Sequence, residues 1–509
     1  MTHDATLVDF IRLNERRVPD RDAVVDDNDR LTHRQLSNRA WALARGLRAA
    51  GIQPGDHVGI LAGNSIFTAE AFLGTIAAGA VAVMYNWRWA TAELAHGISS
   101  TDAQIILVED EFAAALDAAS ATGQAGDFRA YKQGPEYDSL LIDGEPVDPV
   151  IGLEDPMCIL FTGGTTGFSK GVVLPHRSAI FNAANEIIDT GMAREPENVA
   201  LNLTPLFHSA ALLCLFIPHY ISGGTNVILR RFDERQVAEF VEKERITTSF
   251  MIPNMIRRLI RTGALDHPGF QNFFRQMHTG GGLLRWPDKE AVTTALPDVR
   301  LFFRYGLTEA GAMVARALPE AVMDPALDGT VGREYTFAEV KIVDFDGAEV
   351  GPGELGEICV RGPAVMLGYY NKPQETADTL VDGWLHTGDL AVRDQDGNIF
   401  FRDRAKDMIK SGGENVYAAE IEQQLYSHPA VMECGVLGVP STEWDEEVRA
   451  VVALRPGRTA SEQELKDYLR QHLAGYKVPK LIIFLSPDEM PVNPSGKIVK
   501  SNLRQIVKW

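Results

Sequence analysis

Leu160–Leu174, which reads LFTGGTTGFSKGVVL, carries the strongest chemical signal in the chain. Its glycines let backbone N–H groups approach anionic oxygens, its threonines add hydroxyl donors, and Lys170 adds a positive charge. A Walker loop would open a helix after its lysine. Here the strand-like run VVLP follows Gly171, so we predict a phosphate-binding loop between two strands. Taken alone, the stretch also allows a flexible turn.

The composition is typical of a globular protein with several packed cores. The chain has 509 residues, and 45% of them are hydrophobic, which suffices for more than one domain. We find no signal peptide and no run of about 18 apolar residues, so we expect a cytoplasmic protein without an integral membrane segment. The four cysteines are far apart in apolar strings, which favours buried thiols over a zinc or disulfide framework.

The net charge of −20 argues against nucleic acid as a partner, because such binding relies on lysine and arginine. The excess of acid is confined to the first part of the chain. Residues 404–509 contain 14 basic and 14 acidic side chains, which leaves 35 basic and 55 acidic ones before them. An acidic body therefore precedes a neutral C-terminal unit.

Helix-like and strand-like patterns alternate through the first part, as in HRQLSNRAWALARGLRAAG before DHVGILAG, and predict a layered α/β architecture. From about Gly329 the pattern changes to hairpins with Asp-Gly turns. A compact unit follows, with a helix near AAEIEQQLYSHP, strands CGVLGV and RAVVAL, and the helix SEQELKDYLRQHLAG. We place the domain boundary between Asp403 and Asp407, which gives domains 1–403 and 404–509.

One glycine pattern is a decoy. Gly351, Gly353 and Gly356 match G-x-G-x-x-G, the signature of a dinucleotide site. That site needs a helix after the glycines, whereas the strand-like EICVRG follows here, so we interpret the pattern as a turn.

Four further motifs follow the glycine-rich loop in a fixed order: YGLTEA (305–310), GWLHTGD (383–389), DRAKDMIKSGGENVY (403–417) and NPSGKIVK (493–500). Together the five segments resemble the adenylate-forming superfamily, which includes acyl-CoA synthetases, nonribosomal-peptide adenylation domains and beetle luciferases. The resemblance covers essentially the full length. It implies an α/β fold with a large N-terminal domain of several subdomains, partly β-rich, and a small mobile α+β C-terminal domain.

The resemblance also implies an activity. Members of the superfamily join a carboxylate to AMP with release of pyrophosphate and then pass the acyl group to a thiol, so we expect an AMP-forming acyl-CoA synthetase. The expected cofactors are ATP, Mg²⁺ and CoA, and the expected partners are small molecules. A homodimer is also allowed.

Matching the motifs residue by residue implies the nucleotide site. Tyr305 would stack on adenine, Thr308 would bond the α-phosphate, and Glu309 would hold Mg²⁺. Asp389 would accept hydrogen bonds from the ribose hydroxyls, with Arg404 assisting. The β- and γ-phosphates would lie on the loop formed by Thr162, Gly163, Gly164, Thr165, Thr166, Gly167 and Lys170, and adenine would be backed by Gly280, Gly281 and Gly282.

Three residues have implied roles in catalysis or movement. Lys497 would stabilise charge between the carboxylate and the α-phosphate during adenylation. Lys406 matches the position about which the small domain of family members turns. His208, in PLFHSAAL, lies where family members often have an aromatic gate between acid and thiol, although a structural histidine is an equal alternative.

The implied CoA contacts lie in the C-terminal unit. Glycines after the hinge line the pantetheine path in CoA-using relatives, and Trp444 matches a tryptophan that stacks on the CoA adenine in some of them. Asp445 stands where a glycine is usual, and its charge would repel the CoA phosphates. The candidate residues are Ser411, Gly412, Gly413, Trp444, Tyr476 and Lys477.

The expected acyl pocket is apolar and rich in small residues, and no basic residue interrupts it to meet a second carboxylate. These features favour a bulky hydrophobic monocarboxylic acid, either a fatty acid or an aromatic or polycyclic one. The candidate lining residues are Phe207, Ala211, Leu212, Gly306, Leu307, Ala312 and Met313.

The phosphate loop departs from the family spelling at two positions. Gly163 replaces a serine hydroxyl, and Ser169 replaces a proline that stiffens the approach to the lysine. A second hypothesis is therefore an enzyme that adenylates poorly and mainly performs thioester formation. A third sends the acyl group to an amine or a carrier-protein thiol, and a fourth is a non-catalytic binding protein.

Overall fold

The computed structural model describes residues 5–162, 168–192, 198–411, 414–441, 444–492 and 498–506. The chain divides into two compact units. The first comprises Met1–Asp328, Gly332–Val340 and Val360–Leu385, and the second comprises Gly329–Val331, Lys341–Cys359 and His386–Trp509. Every helix in the described ranges is too short or too polar to cross a bilayer.

The described strands are numbered in chain order. They are β1 (Asp22–Val25), β2 (Arg30–Thr32), β3 (His57–Leu61), β4 (Val81–Met84), β5 (Ile105–Val108), β6 (Arg129–Lys132), β7 (Pro156–Thr162), β8 (Lys170–Pro175), β9 (Val199–Asn202), β10 (Thr225–Ile228), β11 (Thr248–Phe250), β12 (Gln276–Gly280), β13 (Arg300–Tyr305), β14 (Ala315–Ala317), β15 (Arg333–Glu334), β16 (Glu339–Val343), β17 (Leu355–Arg361), β18 (Gly368–Tyr369), β19 (Leu380–Val381), β20 (Trp384–Arg393), β21 (Ile399–Arg404), β22 (Ile409–Ser411), β23 (Glu414–Val416), β24 (Val431–Ser441), β25 (Asp445–Leu454) and β26 (Leu481–Leu485).

The helices are numbered in the same way. They are α1 (Leu7–Arg17), α2 (His33–Ala49), α3 (Ile66–Ala77), α4 (Thr91–Ser99), α5 (Ala113–Ala121), α6 (Pro135–Asp138), α7 (His176–Thr190), α8 (Ser209–Ala211), α9 (Ile217–Ile221), α10 (Glu234–Lys243), α11 (Pro253–Thr262), α12 (Pro268–Phe273), α13 (Trp286–Ala295), α14 (Pro319–Val322), α15 (Pro373–Thr379), α16 (Ala418–Ser427), α17 (Glu462–His472) and α18 (Lys500–Ile506).

Two largely parallel sheets form the frame of the first unit. The order of one is β18-β8-β7-β4-β3-β5-β6, and that of the other is β15-β14-β13-β12-β11-β9-β10-β1-β2. Inner strands such as β5, with the sequence IILV, are buried along their whole length. Such continuous apolar runs are typical of parallel strands covered on both faces. The predicted layered α/β architecture is confirmed.

Helices α2 and α3 show how local sequence sets the packing of this unit. Thr32 caps α2, because its side chain accepts a hydrogen bond from the N–H of Gln35 while the Gln35 side chain reaches back. Helix α3 is buried from Phe67 to Ala77. A β-carbon at Gly74 would lie 2.5 Å from the side chain of Leu43, so glycine permits the close approach of the two helices.

The second unit contains an antiparallel β-rich part. Strand β17 lies beside β20, and β20 pairs with β21 so that Asp389 stands opposite Arg404. Residues 351–354 of the GPGELGE segment form the predicted turn, with Gly353 at a positive φ of 89°, and its last three residues begin β17.

The C-terminal part of the second unit matches the predicted order of elements, with α16, β24, β25 and α17 at the expected segments. Strands β24 and β25 form a long antiparallel pair, and β26 runs parallel to β25. Apolar side chains from α16, α17 and these strands share one core, which includes Ile421, Leu425, Val452 and Leu465.

The cysteines are distributed over both units. Cys158 and Cys214 belong to the first unit, and Cys359 and Cys434 belong to the second. All four are free and buried. The predicted buried thiols are therefore confirmed.

Candidate active site

The glycine-rich loop joins two strands, as predicted. Strand β7 ends at Thr162 and β8 begins at Lys170, and these two residues stand opposite each other in the antiparallel pair. The pairing closes the base of the loop. The predicted loop residues Gly163, Gly164, Thr165, Thr166 and Gly167 lie outside the described residues.

The C-terminal end of the loop is anchored by an aromatic contact. The ring of Phe168 stacks on that of His96 in α4, with centroids 4.1 Å apart and planes inclined by 20°. Burial and the charge of Lys372 lower the pKa of His96, which favours its neutral form. Phe168 therefore has a fixed partner although Ser169 lacks the stiffness of proline.

Lys170 and Glu309 are connected through a tyrosine that sequence reasoning missed. The Nζ of Lys170 lies 4.0 Å from the ring centroid of Tyr369, a cation–π distance. The Tyr369 hydroxyl donates a 2.9 Å hydrogen bond to Oε1 of Glu309. Burial and the charge of Glu309 raise the pKa of Tyr369, so its phenol stays protonated and donating. A lysine, a tyrosine and a carboxylate thus form one chain of contacts.

The carboxyl ends of β12 and β13 bring the predicted adenine contacts to one edge of the sheet. The two strands are parallel, with Gly280 opposite Arg304, so Gly280 and Tyr305 lie at the same carboxyl end. A β-carbon at Gly280 would lie 2.3 Å from the carbonyl oxygen of Arg304, which explains the glycine. Gly281 has a positive φ of 74°, and Gly282 follows directly.

A tight reversal follows β13 and carries the predicted phosphate and metal ligands. The N–H of Ala312 donates to the carbonyl of Leu307 at 2.8 Å, and a β-carbon at Gly306 would lie 2.0 Å from the carbonyl oxygen of Ala312. Ala312 itself has a positive φ of 75°, a strained value for a residue with a side chain. The reversal holds Thr308 and Glu309 in a short 3₁₀ turn.

Thr308 contacts the segment that carries His208. The hydroxyls of Thr308 and Ser209 lie 3.0 Å apart in a buried hydrogen bond. His208 is exposed and immediately precedes α8, and its ring centroid lies 6.4 Å from that of buried Phe207. His208, the predicted gate residue, therefore directly precedes Ser209, which contacts Thr308, the predicted α-phosphate ligand.

The predicted acyl-pocket segments also meet. Cys214, Ala312, Met313 and Tyr335 form one buried apolar cluster. Ala312 and Met313 were predicted to line the pocket, whereas Cys214 and Tyr335 were not. Gly306 is exposed, and Leu307 is half-buried. Buried lining positions that were predicted are Phe207, Ala211, Leu212, Ala312 and Met313.

The predicted ribose ligands are paired in the second unit. Nε of Arg404 lies 3.2 Å from Oδ1 of Asp389, and the side chain of Asp389 is buried. The backbone N–H of Asp389 donates to Oγ1 of Thr387 at 3.1 Å. The residues that precede Asp389 thus help to fix its backbone.

The sequence matches the AMP-binding enzyme family over residues 11–370 and the AMP-binding enzyme C-terminal domain over residues 420–497. The chain belongs to the AMP-binding enzyme family. It is 38% identical to a feruloyl-CoA synthase of an Amycolatopsis species, over 96% of each chain. It is 35% identical to a fatty acid–[acyl-carrier-protein] ligase of Streptomyces coeruleorubidus, over 98% of this chain and 96% of that one.

A solved relative of this AMP-binding enzyme is the o-succinylbenzoate-CoA synthetase of Bacillus subtilis in complex with ATP and a magnesium ion. The two folds superpose with a TM-score of 0.85 at 27% identity, and the match covers 97% of this chain and 99% of that one. The predicted superfamily and fold class are confirmed.

The predicted CoA contacts of the AMP-binding enzyme are described in part. The Nζ of Lys480, which was not predicted, lies 4.7 Å from the ring centroid of Trp444. Lys477 forms a 2.7 Å ion pair with Glu420, while Tyr476 is exposed. In this conformation the Lys477 charge is therefore engaged within the protein.

Several predicted residues cannot be placed. Ser411 is buried at the end of β22, but Gly412, Gly413 and Lys497 lie outside the described residues. Lys406 lies in the 3₁₀ turn Ala405–Asp407, and its side chain is outside the described part. Their roles stay predictions.

Proposed function

We propose that this enzyme converts a bulky hydrophobic carboxylic acid into its CoA thioester through acyl-AMP. The class of AMP-forming acid–thiol ligase is confirmed by the family match and by the synthase and ligase relatives. ATP and magnesium are bound in the Bacillus subtilis relative, and CoA is part of the name of the feruloyl-CoA synthase. These findings support the predicted cofactors ATP, Mg²⁺ and CoA.

The contacts from Lys170 through Tyr369 to Glu309 carry the proposal for the first half-reaction. Lys170 offers a cation that suits phosphate, and Glu309 offers a carboxylate that suits a hard metal ion. Mg²⁺, when bound at Glu309, would neutralise phosphate charge. Tyr369 keeps the carboxylate oriented by donating to one of its oxygens.

In the proposed first half-reaction, a carboxylate oxygen of the acid attacks the α-phosphorus of ATP. The bond from that phosphorus to the bridging oxygen breaks, and pyrophosphate leaves. Lys170 offsets charge on the departing phosphates, Thr308 bonds the α-phosphate, and Lys497 stabilises charge between the reacting groups. Tyr305 and Asp389 hold the adenosine.

In the proposed second half-reaction, the CoA thiol releases its proton to solvent and its sulfur attacks the acyl carbon. The bond from that carbon to the former carboxylate oxygen breaks, and AMP leaves with this oxygen. Acyl-AMP is a reactive mixed anhydride, so water must be excluded from it. We propose that residues 404–509 turn about Lys406 between the two steps. Lys406→Pro should stop thioester formation and spare adenylation, whereas equal loss in both half-reactions would contradict the pivot.

The buried apolar cluster of Cys214, Met313 and Tyr335 supports a hydrophobic acid. The relatives point to both aromatic and fatty classes, because one is named for ferulate and another for fatty acids. A panel of fatty, aryl and polycyclic acids, screened for AMP release with CoA present, tests the proposal. Failure of every acid to give AMP would overturn it.

A second acceptor is favoured by one observation. The Streptomyces coeruleorubidus relative is named for an acyl-carrier protein rather than CoA. Replacing CoA with a phosphopantetheinyl carrier protein in the same assay decides between the two thiols.

We propose that the reaction takes place in the cytoplasm. The sequence also allows a homodimer, which sedimentation of the purified chain would detect.

A further inference from the structure

Three side chains of metal-binding type meet on two neighbouring strands of the second unit. Glu357 and Cys359 are two residues apart on β17 and therefore share a face, and His386 lies on the adjacent β20. Nδ1 of His386 lies 2.8 Å from Oε2 of Glu357 and 3.5 Å from Sγ of Cys359. One ligand atom from each residue falls within 4.8 Å of the others.

The donor set and its spacing suit zinc. Sulfur, imidazole nitrogen and carboxylate oxygen are the ligands that Zn²⁺ takes, and three protein ligands leave a fourth position for water. Bonds of about 2.0–2.3 Å in a tetrahedron separate ligand atoms by roughly 3.3–3.8 Å. The distance of 3.5 Å between Cys359 and His386 already matches this range. The Glu357 oxygen would need to move away from His386 by about half an ångström.

Supporting contacts orient the three side chains. Oε1 of Glu357 accepts a 2.7 Å hydrogen bond from the N–H of Gly388, which directs the other oxygen towards His386. The Thr387 hydroxyl donates to the carbonyl of Ile358 at 2.7 Å and ties the two strands together. Such outer contacts are typical of metal ligands. Cys359 is buried, but the side chains of Glu357 and His386 are 26% and 29% exposed, so a cation can enter from solvent.

We propose that Glu357, Cys359 and His386 form a binding site for Zn²⁺, separate from the Mg²⁺ ligand proposed at Glu309. Binding would link β17 to β20 and so stabilise the second unit. His386 lies three residues before Asp389 on the same strand, so the site also supports the backbone that carries the proposed ribose ligand.

A reactive thiol is the main chemical alternative. Burial and the charge of Glu357 raise the pKa of Cys359 to about 12, which disfavours a nucleophilic thiolate at neutral pH. A zinc ion reverses this preference, because it replaces the thiol proton and releases it to solvent.

Cobalt is the probe for the test, because Co²⁺ bound by a thiolate gives a sulfur-to-metal charge-transfer absorption. Reduced, chelator-treated full-length protein without ATP is titrated with Co²⁺ and then with Zn²⁺. We expect one equivalent of Co²⁺ to produce the band and Zn²⁺ to remove it. Absence of the band in the wild-type protein would overturn the proposal.

Cys359→Ser should abolish the band and weaken Zn²⁺ binding at least about tenfold. The matched control is Cys434→Ser, because Cys434 is also buried in the second unit but bonds the carbonyl of Glu422. A band that survives in Cys359→Ser, or disappears equally in Cys434→Ser, would contradict the site.

Glu357→Gln covers the case in which Cys359→Ser does not fold. Zn²⁺ should raise the thermal midpoint of the wild-type protein and of Cys434→Ser, and raise that of Glu357→Gln less. An equal shift in all three proteins would show that zinc binds elsewhere and would refute the proposal.

Discussion

Lys170 and Lys497, the two lysines assigned to adenylation, differ in what the structure describes around them. Lys170 opens a strand of the first unit and lies over the ring of Tyr369. Lys497 belongs to a segment whose flanking residues, Val492 and Ile498, form a bridge in the second unit. Just beyond, Nζ of Lys500 lies 2.9 Å from Oε1 of Glu422. Lys170 is therefore described within a sheet and over a ring, whereas Lys497 lies outside the described residues.

This difference predicts which substitutions affect one step of catalysis and which also affect stability. Changes around Lys170 should weaken the handling of ATP phosphates and leave the second unit intact. Changes around Lys497 should act on adenylation and, through Lys500, on the stability of the second unit.

The largest effect is expected for Lys497→Ala. Loss of a charge-stabilising donor should lower ATP–pyrophosphate exchange by about 10²–10³. Thioester formation from synthetic acyl-adenylate should be unchanged, because Lys497 serves only the first step. Lys508→Ala, in the same terminal segment, is the control. Equal loss in both half-reactions would remove the distinct role of Lys497.

Lys500→Met should destabilise the second unit. It removes a charge-assisted contact to Glu422, which is worth about 1.5–3 kcal/mol in the free energy of unfolding. Chemical denaturation of both proteins measures the loss. Arg470→Met is the comparison, since Arg470 pairs with Asp467 on α17 and both side chains are about half exposed. A larger loss from Arg470→Met would contradict the importance of the Lys500 contact.

The same lysine gives a pH dependence. Burial alone would lower the pKa of Lys500, but Glu422, Asp403 and Asp407 outweigh it and raise the pKa above its ordinary value. Its stabilising contribution is therefore complete below pH 10.5 and is lost as the pH rises through the raised folded value. On the alkaline side, the stability difference between wild type and Lys500→Met should shrink only above pH 10.5. On the acidic side, it should shrink as Glu422, whose pKa is raised by burial, becomes protonated. A difference that shrinks at neutral pH would be inconsistent with this assignment.

Tyr369→Phe should have a smaller effect on catalysis. It keeps the ring beneath Lys170 but removes the hydrogen bond to Glu309, which is worth about 1.5–3 kcal/mol when the acceptor is charged. We expect a higher Mg²⁺ requirement for pyrophosphate exchange and normal thioester formation from acyl-adenylate. Tyr369→Leu also removes the ring and should be worse. Identical behaviour of the two variants would mean that the ring contributes nothing.

The smallest effect is expected at the loop anchor. His96→Ala removes the partner of Phe168, and an aromatic pair is worth about 0.5–1.5 kcal/mol. The KM for ATP should rise a few-fold, and His96→Phe should restore it by restoring the stack. If KM rises equally in both variants, the stack does not position the loop.

The order of motifs in the sequence sufficed for the family, the α/β layers and the loop between β7 and β8. It also assigned Asp389 and Arg404 to one predicted ribose site, because both belong to recognised motifs, and the structure brings the two side chains together. Tyr369 was missed because only the pairing of β18 with β8, which sets Tyr369 opposite Val172, brings it near Lys170.

The cluster of Glu357, Cys359 and His386 was missed for a similar reason. Cysteine spacing is informative when several ligands are close in sequence, whereas here the histidine comes 27 residues after the cysteine on a neighbouring strand. Sheet register rather than local sequence determines such contacts, so a single sequence does not reveal them.

The most direct test of the central claim is the product balance of the wild-type enzyme with ATP, Mg²⁺, CoA and an accepted acid. The account predicts equal amounts of AMP, pyrophosphate and acyl-CoA, with acid-dependent pyrophosphate exchange when CoA is left out. Formation of ADP and phosphate, or acyl-CoA without any exchange, would contradict an acyl-AMP intermediate.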